Sequence, residues 1–229
     1  MVVLAALGAA GIYGLLVWNR AYSDPALIEL LGRLPERDAL TVHVDLAAVR
    51  ASGLAALLEG SAVEEELEYR RFVTETGFDW KTDLDAVTAT RHKSEWYFFV
   101  RGRFDMDKLR NYALSRGGAC KNGFCDAPGA TPGRRVSFYP LSSRVLALAS
   151  SDAANAVFNI YRKPRELNWP GGLPEGSVWV SLNGSFLAGD PALPAGGRLF
   201  GKVLSETERA TFGVTGGLDG LALTMRAHS

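Results

Sequence analysis

The sequence has few of the residues that build metal and redox sites. Its 229 residues include two cysteines and three histidines, too few for a disulfide framework or a tetrahedral zinc site. No histidine stands in a metal-ligand pattern such as H-E-x-x-H, and the glycine-rich stretches lack the lysine of a phosphate-binding loop. We therefore predict no metal ion and no cofactor.

An excess of either charge is also missing. Lys and Arg together number 25, as do Asp and Glu, and no run of basic residues interrupts the chain. A surface that follows a phosphate backbone needs clustered positive charge. The sequence therefore predicts no nucleic-acid partner.

Catalytic motifs are absent as well. No serine lies in a G-x-S-x-G elbow, and no nucleophile can be matched to a base. The weak catalytic candidates are His43 and Asp45, which lie two residues apart on one face of a predicted strand and would suit an oriented acid-base pair. The simpler interpretation is a solvent-facing polar stripe. A neighbouring set of carboxylates, which includes Asp79 and Asp105, is interpreted as helix caps and turn residues.

The chain begins with an apolar run. Residues 2–18 read VVLAALGAAGIYGLLVW, without a charged side chain, and such a run spans most of a hydrocarbon core. We predict an uncleaved membrane anchor over residues 1–19, in preference to a cleaved signal peptide or a buried core helix. Ala6, Ala10 and Gly14 share one helical face, which leaves self-association open. Arg20 follows the run and leaves the orientation open too, although we favour a periplasmic or extracellular domain.

Alternating and helical patterns follow the anchor. After a linker over residues 20–37, the order strand, helix, strand, strand, helix, strand is typical of a split βαβ, or ferredoxin-like, unit. We predict an α+β fold with an antiparallel sheet, in which residues 38–163 form a first unit and residues 164–229 form a second, incomplete one.

The predicted second unit depends on two short repeats. Leu-Pro-Glu precedes an alternating apolar segment at residues 34–36 and again at 173–175, and residues 84–87 resemble residues 218–221. We expect residues 178–182 and 218–227 to share one sheet, joined through a helix near 197–209. Because this alignment leaves residues 218–227 without a hairpin partner, we also expect either a truncated chain or an edge that the first unit covers.

Aromatic residues concentrate in one predicted strand. Trp96, Tyr97, Phe98 and Phe99 alternate between its two faces, so both faces should be covered. Core packing explains most of this pattern. Trp96, Tyr97 and Phe99 are the weak candidates for a binding groove.

The two cysteines flank a turn. Asn122-Gly123 is a strong hairpin signal and lies between Cys120 and Cys125. We predict that the hairpin brings the cysteines together and that they form a disulfide in an extracytoplasmic domain, whereas a cytoplasmic domain would keep two free thiols.

Three segments carry a resemblance: LPERDALTVHVDLAAVR, FVTETGFDWKTDLDAV and FFVRGRFDMDKL. Together they resemble a family of uncharacterised membrane-anchored bacterial proteins, common in soil bacteria, in which Gly-Phe-Asp … Asp-Leu-Asp and Gly-x-Phe-Asp … Leu stretches punctuate α+β units. The resemblance covers most of residues 34–150. It implies an extracytoplasmic bacterial protein and supplies no catalytic residues.

Three functional hypotheses follow from these patterns. The first is a membrane-anchored, extracytoplasmic binding or structural protein without catalytic activity, with a possible protein partner. The second is a hydrolase with a site around His43 and Asp45. The third is a domain that binds a lipid or another apolar small molecule, which requires a dry pocket beside the aromatic residues.

Overall fold

Strands dominate the part of the chain that the structure describes. The computed structural model describes residues 24–36, 39–52, 67–167, 169, 172–183, 186, 207–217 and 220–228. Within these ranges the helices are α1 Leu27–Leu31, α2 Leu46–Ala51, α3 Leu67–Thr76, α4 Trp80–Asp83, α5 Met106–Ser115 and α6 Phe158–Tyr161. The strands are β1 Ala39–Asp45, β2 Leu84–His92, β3 Glu95–Gly102, β4 Ala119–Lys121, β5 Phe124–Pro128, β6 Arg135–Pro140, β7 Val145–Ser151, β8 Val178–Asn183, β9 Arg209–Gly217 and β10 Gly220–His228.

All ten strands form one sheet. Their order is β10-β9-β8-β1-β2-β3-β7-β6-β5-β4, and each neighbouring pair is antiparallel. The strand that opens the predicted first unit, β1, pairs with β8 of the predicted second unit, with Val42 opposite Val180. The two predicted units therefore contribute to a single continuous sheet.

The predicted fold class was wrong. The described chain contains both helices and strands, but it is mostly β, with a few short helices on a ten-stranded antiparallel sheet. A split βαβ unit needs a crossover that returns parallel to its first strand. Here the helices between β1 and β2 return the chain antiparallel to β1, directly beside it. The order of elements along the chain was correct in outline, but it did not determine which strands are neighbours.

The repeat alignment was also wrong in its register. Residues 178–182 and 218–227 do lie in one sheet, as expected. However, β8, β9 and β10 are paired side by side in the order in which they occur along the chain, as β1, β2 and β3 are. The counterpart of β2 is therefore β9. The alignment had matched β2 with the segment of β10. The predicted helix near 197–209 lies largely outside the described residues, and Arg209 is the first residue of β9.

The sheet has two faces, and the core lies on one of them, the core face. Tyr97 and Phe99 of β3 point to this face, as do Val145 and Ala147 of β7. They pack with Trp179 of β8 and with apolar residues of α1 and α6, all of which are buried. The side chains of opposite alternation, such as Phe98 and Leu148, point to the other face, the cavity face.

Several local predictions are confirmed. Asp105 caps α5 as predicted, and its carboxylate accepts a hydrogen bond from the backbone N–H of Lys108 at 3.0 Å. Asp79 also has a capping role, at α4. These features depend on caps and local periodicity, which the sequence carries directly.

The predicted anchor over residues 1–19 lies outside the described residues. Among the helices that are described, none combines the length and the apolar character that a membrane crossing requires.

The predicted cysteine hairpin is present. Asn122 and Gly123 both adopt positive φ, at 52° and 83°, which is the backbone of the tight turn that joins β4 to β5. Cys120 and Cys125 are directly opposite in this hairpin and form a disulfide. The buried Cys125 also packs against Ala113 of α5, so the bond fixes the hairpin beside that helix.

We expect this disulfide to contribute little stability. Closing so short a loop removes limited chain entropy, so replacing both cysteines with serine should lower the free energy of unfolding by about 2 kcal/mol. Urea denaturation of the wild-type and double-serine chains measures this difference.

Protein isolated without reductant and then unfolded should give no thiol labelling until it is reduced, and two reactive thiols at the outset would contradict the crosslink.

Candidate functional site

An apolar cavity separates two helices from the cavity face of the sheet. It lies between α3 and α5 on one side and strands β2, β3, β7, β6 and β5 on the other, and its volume is about 540 Å3. Its lining comprises Glu68, Phe72, Phe78, Leu84, Val87, Phe98, Val100, Phe104, Leu109, Tyr112, Ala113, Arg116, Ala127, Pro128, Gly129, Ala130, Val136, Phe138, Leu146 and Leu148. A volume of several hundred Å3 with a mostly apolar lining is typical of small-molecule sites.

Burial differs between the two faces of the central strands. On the core face, Tyr97 and Phe99 are each 2% exposed. On the cavity face of the same strand, Phe98 and Val100 remain partly exposed, as does Val136 of β6. Apolar side chains in the middle of a wide sheet are normally covered. Helices α3 and α5 therefore stand over this face without packing fully against it.

Two Phe-Asp pairs build one end of the cavity. Asp79 caps α4 by accepting a hydrogen bond from the backbone N–H of Lys81, and Asp105 caps α5. The residue before each cap, Phe78 or Phe104, turns into the cavity, where the two rings stack with centroids 5.0 Å apart. Each cap therefore fixes the start of a helix and the position of a phenylalanine together.

An ion pair lies at the other end of α5. Arg116, the C-cap residue, places Nη2 3.1 Å from Oε1 of Glu68 in the first turn of α3. Both side chains line the cavity, and they are the charged residues in its described lining. Both are also partly open to solvent, so the pair joins the two helices at a mouth of the cavity.

A polar cleft lies beyond the stacked phenylalanines. Phe78 and Phe104 line it as well, together with Arg103, Lys108 and Arg144. Each of these cations is paired with a carboxylate: Arg103 with Asp83, Lys108 with Asp105, and Arg144 with Asp85. The hydrogen bond from the backbone N–H of Asp79 and the pairing with Arg103 hold the pKa of Asp83 below its usual value. The sequence-predicted carboxylate cluster therefore divides into caps and ion pairs.

His43 and Asp45 make separate contacts. His43 lies on the core face, where its Nδ1 is 2.9 Å from Oγ1 of Thr88 and its ring stacks on Trp179 at 5.3 Å. The Asp45 carboxylate instead accepts a hydrogen bond from the backbone N–H of Ala48 and caps α2. His43 is buried, in contrast to the solvent-facing stripe that the sequence suggested.

Burial lowers the pKa of His43, with Asp45 opposing the shift and Arg101 adding to it. The unfolded chain therefore binds a proton more readily than the folded one, so folding loses stability as the pH falls through about 6.5. Each tenfold difference in proton affinity corresponds to about 1.4 kcal/mol. We expect His43→Gln to reduce the loss of stability between pH 7.5 and pH 5, measured by urea denaturation at both values. An equal loss in both chains would contradict this role.

The aromatic binding candidates lie mostly outside the cavity. Tyr97 and Phe99 are in the core, where burial and a hydrogen bond to Glu95 raise the pKa of Tyr97 to about 12. Trp96 shares the cavity face and stacks on Phe98, at 5.9 Å between centroids, but of these aromatic residues only Phe98 belongs to the described cavity lining.

The helix-borne wall, which includes Phe72 and Tyr112, was not predicted. The repeated Phe-Asp pair was the signal that could have located part of it.

No group of three or more His, Cys, Asp or Glu side chains suited to a metal ion occurs within the described ranges.

Comparisons with known proteins give limited similarity. No protein-family model matches the sequence, and no curated protein matches it either. Crystal form III of TP0453 is similar in structure, with a TM-score of 0.48, 12% sequence identity, and coverage of 90% of this chain and 80% of that chain. Crystal form IV of TP0453 gives a TM-score of 0.48 at 13% identity, with coverage of 90% and 81%. Similarity of this degree carries no argument about activity or ligand.

Proposed function

We propose that this protein binds an elongated apolar molecule, such as the alkyl chain of a lipid, in the cavity between α3, α5 and the sheet. The observation that carries the proposal is the cavity of about 540 Å3 with its almost entirely apolar lining. An empty apolar space of this size forfeits dispersion contacts along its whole surface, and a ligand of matching chemistry restores them.

The form of the cavity favours a long ligand over a compact one. Helix α5 contributes Leu109, Tyr112, Ala113 and Arg116, at helical spacing, so the lining follows the axis of the helix from one end towards the other. An alkyl chain lying along α5 would contact these residues in succession. It would contact Phe98 on the opposite wall.

We further propose that the protein is attached to a membrane through residues 2–18, with its domain in the periplasm or at the cell exterior. The apolar run of the sequence supports the attachment. The Cys120–Cys125 disulfide supports an oxidising compartment. The resemblance of residues 34–150 to membrane-anchored bacterial proteins supports the same placement. A binding domain held at a membrane would lie beside a supply of alkyl chains.

Fluorescence titration tests the binding proposal. A neutral alkyl chain that carries a solvent-sensitive dye should give a saturable, blue-shifted signal with one site per protein. Unlabelled long-chain alcohol should displace the dye. A signal that does not saturate, or that unlabelled alcohol leaves unchanged, would contradict a defined site.

Protease treatment of intact cells tests the placement. An extracytoplasmic domain should be digested once the outer envelope is permeabilised and while the inner membrane remains closed. Protection until the inner membrane is lysed would contradict it.

A further inference from the structure

We infer that the ligand is a long-chain carboxylate whose headgroup pairs with Arg116 in place of Glu68. This inference rests on the proposed function and names the class of ligand. In the described lining, positive charge occurs at Arg116 alone, at the mouth beside the end of α5. An amphiphile in the cavity would therefore meet a cation at this end, and a planar guanidinium suits a carboxylate because it can donate two parallel hydrogen bonds.

A ligand carboxylate can replace Glu68 in its ion pair with Arg116 at little cost in free energy. Glu68 is largely exposed, with a side-chain exposure of 61%, and exposed ion pairs contribute about 0–1 kcal/mol. A ligand carboxylate would replace one oxygen partner with another while Glu68 returns to water. The exchange preserves the charge balance at Arg116 and adds the contacts of the alkyl chain.

Three carbonyl groups in the last turn of α5 are already bonded, which limits the repulsion of an anion at this helix end. The backbone N–H groups of Arg116, Gly117 and Gly118 donate to the carbonyls of Tyr112, Leu114 and Ala113, respectively. Such bonds satisfy the acceptors that would otherwise repel a carboxylate at a helix C-terminus.

The polar cleft at the other end of the cavity is the competing headgroup position. Its cations are paired with carboxylates that are less exposed than Glu68, at 20% for Asp83, 48% for Asp105 and 18% for Asp85. The stacked rings of Phe78 and Phe104 also lie between the cleft and the cavity. Lys108 of α5 belongs to this cleft. It provides the matched control, since its removal subtracts the same charge from the same helix at the opposite end.

The test compares palmitate with its alcohol, hexadecanol, by displacement of the neutral dye-labelled alkyl chain from the full chain. We expect the wild type to bind palmitate about tenfold more tightly, because its carboxylate can accept two parallel hydrogen bonds from Arg116, whereas Glu68 accepts one, at 3.1 Å. Arg116→Gln should lower palmitate affinity about tenfold more than hexadecanol affinity and so remove this preference, and retained displacement of the dye by hexadecanol verifies that the variant is folded. Glu68→Gln should tighten palmitate binding several-fold, and Lys108→Gln should leave the preference intact.

The outcomes separate the two proposals. If neither ligand displaces the dye, the proposed function fails and the inference fails with it. If both ligands bind equally and Arg116→Gln has no selective effect, the cavity binds alkyl chains and the inference about the headgroup is wrong. If Lys108→Gln loses the preference for palmitate over hexadecanol and Arg116→Gln keeps it, the headgroup lies in the polar cleft. That result would overturn the assignment to Arg116.

Discussion

Replacing Trp179 with alanine should lower the free energy of unfolding by about 3–5 kcal/mol, the range for a large aromatic side chain removed from a core. Trp179 is 1% exposed and lies on β8, at the pairing that joins the two halves of the sheet. It stacks on His43 and contacts Trp169 edge-on at 5.7 Å. Because domains are stable by about 5–15 kcal/mol in total, the variant should lose a large fraction of its stability.

Trp80 offers a matched control for this substitution. It is the same residue type but is 45% exposed at the start of α4, so Trp80→Ala should change stability by about 0.5 kcal/mol or less. Urea denaturation followed by far-UV circular dichroism measures both variants. Equal losses in the two would contradict the placement of Trp179 at the junction of β1 and β8.

Filling part of the cavity should weaken binding without destabilising the fold. Val136 of β6 lines the cavity and remains partly exposed on the cavity face. Phenylalanine at this position would extend into empty space, so Val136→Phe should weaken binding of the dye-labelled alkyl chain at least about tenfold by occupying part of the site. In a packed core the same change would cost about 1–3 kcal/mol, whereas in a cavity it gains contacts. We therefore expect a midpoint of thermal unfolding equal to or above that of the wild type.

Val136→Ala is the control for occlusion. It changes the same position but enlarges the cavity, so binding of the probe should be retained. If Val136→Phe unfolds the protein, the space beside Val136 is packed and the cavity is not open there. If Val136→Ala weakens binding as much as Val136→Phe does, loss of the valine itself, and not occlusion, explains the effect.

Local structure followed from the sequence where one residue controls one feature. Asp105 caps α5, and Asn122-Gly123 turns the β4–β5 hairpin, because the capping oxygen and the positive φ act within a few residues. The alternation in β1 likewise predicted a strand there. Such signals do not depend on what packs against the element.

The pairing of the strands could not be predicted in the same way, because strands that pair can lie far apart in the sequence. Strand β9 was not predicted, and glycine within it is a local reason, because glycine is uncommon in strand interiors. Gly213 lies inside β9, where a Cβ atom would be 2.7 Å from the backbone oxygen of Glu175, so the close approach of that backbone requires glycine. A glycine that permits close backbone approach resembles a turn glycine in sequence.

The candidate site was only partly predictable. The aromatic strand β3 was expected to have both faces covered. Its core face is fully packed, whereas its cavity face is only partly covered, and Phe98 lines the cavity there. No feature of the sequence indicates which face is fully packed, since Tyr97 and Phe98 are both suited to a core. The opposite wall depends on how far α3 and α5 stand from the sheet, a distance that no local pattern encodes.

The location of a bound alkyl ligand in a crystal tests the binding site most directly. Crystals grown with a ligand that carries bromine on its alkyl chain would place the chain by anomalous diffraction. We predict a bromine peak between α5 and the sheet, beside Leu109 and Phe98. A structure in which side chains fill this space and the bromine peak lies elsewhere, or is absent, would contradict an alkyl-binding cavity.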